Sequence, residues 1–114
     1  MLTIVEYVSE DGTSPYRLWF DSLPAQAAAK IATAIIRLEF GNTSRVKWIG
    51  VIGEYRIDWG PGYRIYLAKN GDALIVLLGG GTKKRQQIDI KRAHDMWTEY
   101  KARKARTVKP QGKR

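Results

Sequence analysis

The chain has no cysteine and a single histidine, His94. The first absence excludes a disulfide framework and a thiolate zinc site, and fits a reducing compartment. The second excludes a His-pair metal site. Long apolar runs are missing too. The longest, Ala73 to Leu78, is far short of the roughly 20 residues that a membrane-spanning helix needs. The start, Met1-Leu2-Thr3-Ile4-Val5-Glu6, lacks the basic head and apolar stretch of a signal peptide. Acid is scarce relative to base, with 11 Asp and Glu against 20 Lys and Arg. These features point to a cytoplasmic protein, with no membrane association, whose partner is a polyanion.

Charge is unevenly spread. Residues 101–114 hold seven of the Lys and Arg and no acid. The 114 residues suit one domain, expected over 1–103, followed by a basic, flexible tail over 104–114 with an electrostatic role.

Hydrophobic spacing lays out an order of elements. Leu2 to Tyr7 reads as a strand. Ser14-Pro15 is an N-cap with proline at the first helical position, and Tyr16, Trp19, Phe20 and Leu23 form the stripe of an amphipathic helix. A second helix follows Pro24, with Ala27, Ala28, Ile31, Ala32, Ile35, Leu38 and Phe40 as its core candidates, and ends at Gly41-Asn42. Val46 to Ile49 is a short strand or an extended entry. Glu54 to Trp59 and Tyr63 to Ala68 both alternate strictly around the turn Gly60-Pro61-Gly62, and Asn70-Gly71 marks a second hairpin. Ala73 to Leu78 is apolar on both faces, as a central strand requires. Gly79-Gly80-Gly81-Thr82 is expected to break the chain before a last helix from Lys83 to about Arg103, with Ile88, Ile90, Ala93, Met96, Trp97 and Tyr100 inward. The fold class is α+β: a mostly antiparallel twisted sheet with a helical hairpin on one face and a C-terminal helix.

Alternation sends Tyr55, Ile57, Trp59, Tyr63, Ile65 and Leu67 toward one core, beneath the hairpin. Arg56, Asp58, Arg64 and Tyr66 go to the opposite face, either an ordinary solvated surface or a binding platform. The stretch Gly79 to Arg85 places three cations at the start of the last helix, where they oppose its dipole, so local stability does not explain them. Main-chain amides and cationic side chains together suit a phosphate, with a solvated flexible turn as the alternative. The stretch is not a P-loop, because the Gly-Lys-Ser/Thr ending is absent. Trp19, Trp59 and Trp97 fall on core stripes, whereas Trp48 has a surface position as its alternative.

Two long segments carry a resemblance. Glu54-Tyr-Arg-Ile-Asp-Trp-Gly-Pro-Gly-Tyr-Arg-Ile-Tyr66 and Leu77-Leu-Gly-Gly-Gly-Thr-Lys-Lys-Arg-Gln-Gln-Ile-Asp-Ile-Lys-Arg-Ala93, with the earlier Trp19-Phe-Asp-Ser-Leu-Pro24, resemble the HigB-like addiction-module killer proteins of the RelE/ParE toxin superfamily. The resemblance covers roughly residues 1–100. It implies a RelE-like β-α-α-β-β-β-α fold and a type II toxin–antitoxin module. The implied partners are a helix-turn-helix antitoxin, the ribosome with its mRNA, and operator DNA only through the antitoxin.

Many relatives are ribosome-dependent mRNA endonucleases in which the RNA 2′-hydroxyl attacks the adjacent phosphate, and neither metal nor cofactor is implied. The resemblance puts the catalytic positions at Arg64, Lys83, Lys84 and Arg56, and the RNA contacts at Arg85, Tyr66 and Lys47. Arg64 would hold the scissile phosphate, Lys83 or Lys84 would act as a base or an electrostatic clamp, and Arg56 would position the backbone. Two departures stand out. Thr82 occupies a position often acidic in close members, and no tyrosine lies before Tyr100 in the last helix. The same resemblance implies, as alternatives, a non-enzymatic poison of DNA gyrase or a degenerate toxin acting only in the repressor complex.

Overall fold

Helix α1, Pro15–Asp21, starts where the sequence signals it. The Ser14 hydroxyl accepts from the Arg17 amide, and proline occupies the first turn, where a missing N–H costs nothing. The computed structural model, which describes residues 1–108, continues with helix α2, Ala25–Glu39. Strand β1, Thr3–Glu6, precedes the helical pair. Strands β2 (Val46–Ile49), β3 (Ile52–Ile57), β4 (Tyr63–Asn70) and β5 (Leu74–Thr82) follow. A short 3-10 turn, Lys83–Arg85, then leads into helix α3, Gln86–Val108. The helix runs past residue 103, so the first part of the basic segment is helical. The rest of that segment, from residue 109, lies outside the described residues.

The five strands form one mixed sheet in the order β1-β5-β4-β3-β2. Three neighbouring pairs are antiparallel, and β1 runs parallel to β5. The class is α+β, with one strand more than the RelE-like order counted, because Val46–Ile49 pairs fully with Ile52–Tyr55.

Each face of the sheet has its own core. On one side Tyr55, Tyr63, Ile65 and Leu67 pack with Tyr16, Ala27, Ile31, Ala34 and Leu38 of the hairpin. This is the arrangement the double alternation predicted. On the other, Tyr66, Ala68, Val76 and Leu78 pack with Ala93 and Trp97 of α3. The face carrying Arg56, Arg64 and Tyr66 is therefore largely roofed by a helix, which corrects both readings of it as open surface.

Other expectations are corrected as well. Phe40 and Ile88 are exposed, at 71% and 52%, and Ala32 is exposed while Ala34 takes its place in the core. Phe40 is the C-cap of α2 and has turned out of the helix's buried stripe. Trp48 lies at the surface.

The glycine run is the largest correction: it belongs to β5. Leu67 pairs with Leu77 but Tyr66 pairs with Gly79, so Leu78 is an extra residue, a β-bulge. The bulge shifts the alternation by one. Gly80 then faces the hairpin opposite Ile65, and Gly81 faces α3 opposite Arg64. Both positions need the missing side chain. A Cβ on Gly80 would come within 2.3 Å of the Trp19 ring, and one on Gly81 within 2.0 Å of Asp89 Oδ2. The glycines admit close neighbours from two layers instead of turning the chain.

Candidate functional site

Cross-strand register assembles the site at the N-terminal end of α3. Arg56 lies directly opposite Arg64, and Glu54, two residues before Arg56, lies opposite Tyr66. Lys47 of β2 is opposite Glu54 in turn. All five therefore share the α3 face of the sheet. Two arginines side by side repel unless an anion joins them, and Glu54 is that anion. Its carboxylate is fully buried. Oε1 accepts from Arg56 Nε at 2.8 Å, and Oε2 lies 3.5 Å from Arg64 Nε. Oε2 also accepts from Gln86 Nε2 at 2.8 Å and from the Tyr66 hydroxyl at 3.3 Å.

Burial pushes the Glu54 carboxyl up, but the hydrogen bonds from Arg56 and Gln86 and the charges of both arginines outweigh it and hold the group below its ordinary 4.5. Tyr66 moves the other way. Burial first, then the Glu54 and Asp89 charges, raise its phenol, which stays a donor. With a ring only 1% exposed, Tyr66 has no face open to RNA, which corrects its reading as an RNA contact.

Arg64 points away from the hairpin but is only 6% exposed, and its Nη1 donates to the Gly62 carbonyl at 2.7 Å. Gly62 sits in the left-handed region, φ +75, and a side chain there would press on Arg64 Nη1 at 3.0 Å and on Lys83 Cβ at 3.3 Å. The β3–β4 turn thus brings Lys83 beside Arg64, helped by the Lys83 amide donating to the Pro61 carbonyl at 3.4 Å. Lys83, Lys84 and Arg85 form an exposed rim. Arg85 Nε lies 3.9 Å from Asp89 Oδ1. Lys47 is exposed at the far end of the row. The structure thus brings Arg56, Arg64 and Lys83 together, with Lys84 and Arg85 following along the rim, and leaves Lys47 at the margin.

Glu54, Gln86 and Asp89 were missed by sequence reasoning. Glu54 had a usable signal: two facing arginines demand a carboxylate on the same face, and only Glu54 or Asp58 was spaced to supply it. Gln86 and Asp89 had none, since their roles depend on where α3 docks. Asp89 is buried against Gly81, and its Oδ2 has no hydrogen-bond partner among the described residues. Burial raises its carboxyl above the ordinary 3.8, against the lowering charges of Arg85 and Arg92.

A carboxyl raised by folding binds its proton more tightly in the native state. Its stabilising contribution is therefore present at low pH and lost as pH climbs from 3.8 through the raised value. Asp89→Asn should accordingly melt higher than the parent at pH 7, with the gap closing in acid. Thermal unfolding followed by circular dichroism at both pH values tests this, and a lower melting point for the variant at pH 7 would contradict it.

Among the described residues no three His, Asp or Glu side chains cluster as metal ligands would, and no helix is long and apolar enough to cross a membrane. No family model matches the chain. A protein of Haemophilus influenzae, itself uncharacterised, is 43% identical over 83 residues, which span 71% of this chain and 84% of that protein. The chain belongs to one family with it.

Proposed function

We propose that the protein is the toxin of a type II toxin–antitoxin module and acts as a metal-independent endoribonuclease on mRNA in the ribosomal A site. The observation that carries this reading is the Arg56–Arg64 pair, set side by side on the buried Glu54 carboxylate and flanked by Lys83. The resemblance of the same segments to HigB-like killer proteins supplies the target and the partner, a helix-turn-helix antitoxin.

The chemistry follows from the charges. When a 2′-hydroxyl attacks the adjacent phosphate, negative charge gathers on the phosphate oxygens. Arginines fixed in advance stabilise that charge without reorganising. Arg56, with 39% of its side chain exposed, is the arginine that reaches solvent, while Arg64 is braced from beneath by Glu54 and Gly62. Lys83 and Lys84 serve as an electrostatic clamp on the flanking backbone. Tyr66 has no direct part, and acts only through its hydrogen bond to Glu54.

The test is cleavage of a ribosome-bound message by purified protein, read by primer extension. Cuts confined to the A-site codon, absent without ribosomes, are the expected result. Intact message together with blocked DNA supercoiling by gyrase would replace the nuclease reading with gyrase poisoning. Intact message and unimpaired growth of an expressing strain would leave a toxin that serves only in repression.

A further inference from the structure

A cleft of about 580 Å³ lies on the hairpin side of the sheet, away from Glu54. It opens where β2 stops. Val46, the first residue of β2, pairs with Tyr55, so Arg56 at the end of β3 has no strand beside it on that edge among the described residues, while the Ile57 carbonyl accepts from the Trp59 amide at 2.9 Å. Lys30 and Arg37 of α2, Arg45 before β2, and Arg56 line the cleft against a single acid, Asp58. Among the described residues, Lys30, Arg37 and Arg45 have no ion pair. Lys30, Arg37 and Arg45 carry three unpaired charges around the end of β3, the Arg56 guanidinium being held by Glu54 on the other face, and together they attract an anionic chain in extended form.

Two anionic chains fit that outline, and the aromatic lining separates them. Single-stranded RNA needs open ring faces on which its bases stack. The one partly exposed aromatic ring here, Trp59, already has Lys30 Nζ over it at 5.2 Å and Tyr63 stacked against it at 6.1 Å. A polypeptide needs no ring. It needs opposite charges and an open stretch of strand edge, and Lys30, Arg37 and Arg45 beside the edge at Arg56 supply them. A second copy of this chain is disfavoured by a net charge of +9 on each.

We propose that this cleft docks an extended acidic segment of a partner protein, its backbone running beside Arg56 and its carboxylates set against Lys30, Arg37 and Arg45. The proposal does not depend on the nuclease reading, since it uses the other face of the sheet and requires no catalysis.

The experiment uses the full chain and a short labelled peptide of alternating glutamate and valine, with oligouridylate of equal charge as the comparison. Binding is read by fluorescence anisotropy and its location by hydrogen exchange. The peptide should slow exchange of the amides between Arg56 and Trp59. The Lys30→Glu, Arg37→Glu double variant should weaken it about tenfold, because two attractive contacts become repulsive. Lys69→Glu with Lys91→Glu, equal in charge but distant, should change it less than about twofold, and circular dichroism verifies that both variants fold. Equal weakening by the two double variants would reduce the effect to net charge and overturn the proposal. Failure of the peptide to bind would overturn it as well. Protection of Arg56 to Trp59 by oligouridylate but not by peptide would make the cleft a nucleic-acid groove instead.

Discussion

Replacing Glu54 by alanine is expected to lower stability by about 3–5 kcal/mol, the usual cost of removing one partner from a buried ion pair. For a domain of this size that corresponds to a fall in melting temperature of roughly 10 °C or more. The cost arises mainly at Arg64. Its side chain is only 8% exposed, whereas that of Arg56, at 39%, recovers water once its partner has gone. Tyr66 and Gln86 also lose their acceptor. Glu54→Gln keeps the shape and one acceptor oxygen and should cost less.

The pH profile separates charge from shape. A carboxyl held below its ordinary value contributes stability above that value and loses it as pH falls through the folded one. The parent should therefore lose stability in acid faster than Glu54→Gln does. Chemical denaturation of the three proteins across the acid range measures this. A Glu54→Ala variant melting within a degree or two of the parent would remove Glu54 from its place as the anchor of both arginines.

The second large effect is on cleavage. Arg64→Ala should slow the cutting of ribosome-bound message about a hundredfold or more, since one preorganised donor is worth roughly 3–4 kcal/mol to a transition state that gathers negative charge. The loss is not confined to catalysis. Arg64 is buried under α3 and bonded to Gly62, so its removal leaves a void and takes one counter-charge from Glu54. Arg64→Lys resolves the two contributions. It keeps the charge, loses the planar fork, and should fold while cutting at an intermediate rate. Lys83→Ala should fall less, because Lys84 is adjacent. Single-turnover rates at saturating enzyme, with melting curves alongside, supply the comparison. Undiminished cutting by a folded Arg64→Ala variant would move the phosphate site elsewhere.

Much of the hairpin-side core was legible because one simple constraint governs it. A half-buried strand alternates, so Tyr55, Ile65 and Leu67 had a single good destination, and Trp19 and Phe20 at helical spacing supplied the cover. The α3 side was legible only in parts. Ala93 and Trp97 read as a stripe needing a surface, and Ala68, Val76 and Leu78 read as a surface, but nothing local joined the two. That missing docking hid the burial of Arg64 and Tyr66 and the roles of Gln86 and Asp89.

Gly79 to Gly81 misled for a related reason. Local propensity reads three glycines as a break. Here a bulge and two incoming side chains, Trp19 and Asp89, make a strand of them. Of the site itself, the cations were visible as residue types. The carboxylate that organises them was not, because alternation places a residue on a face without saying what roofs that face.

The parallel pairing of β1 with β5 has a consequence for synthesis. Thr3 to Glu6 leave the ribosome well before their partners, Leu74 to Leu77, are made. Until then β2, β3 and β4 can meander together through short hairpins, but the first strand waits with both its edges unpaired. The sheet closes only through this long-range contact, and such contacts are slow to form and leave strand edges exposed meanwhile. The interval between making Glu6 and making Leu77 is therefore the period in which the nascent chain is most open to chaperones, to proteases and to pairing with the wrong strand.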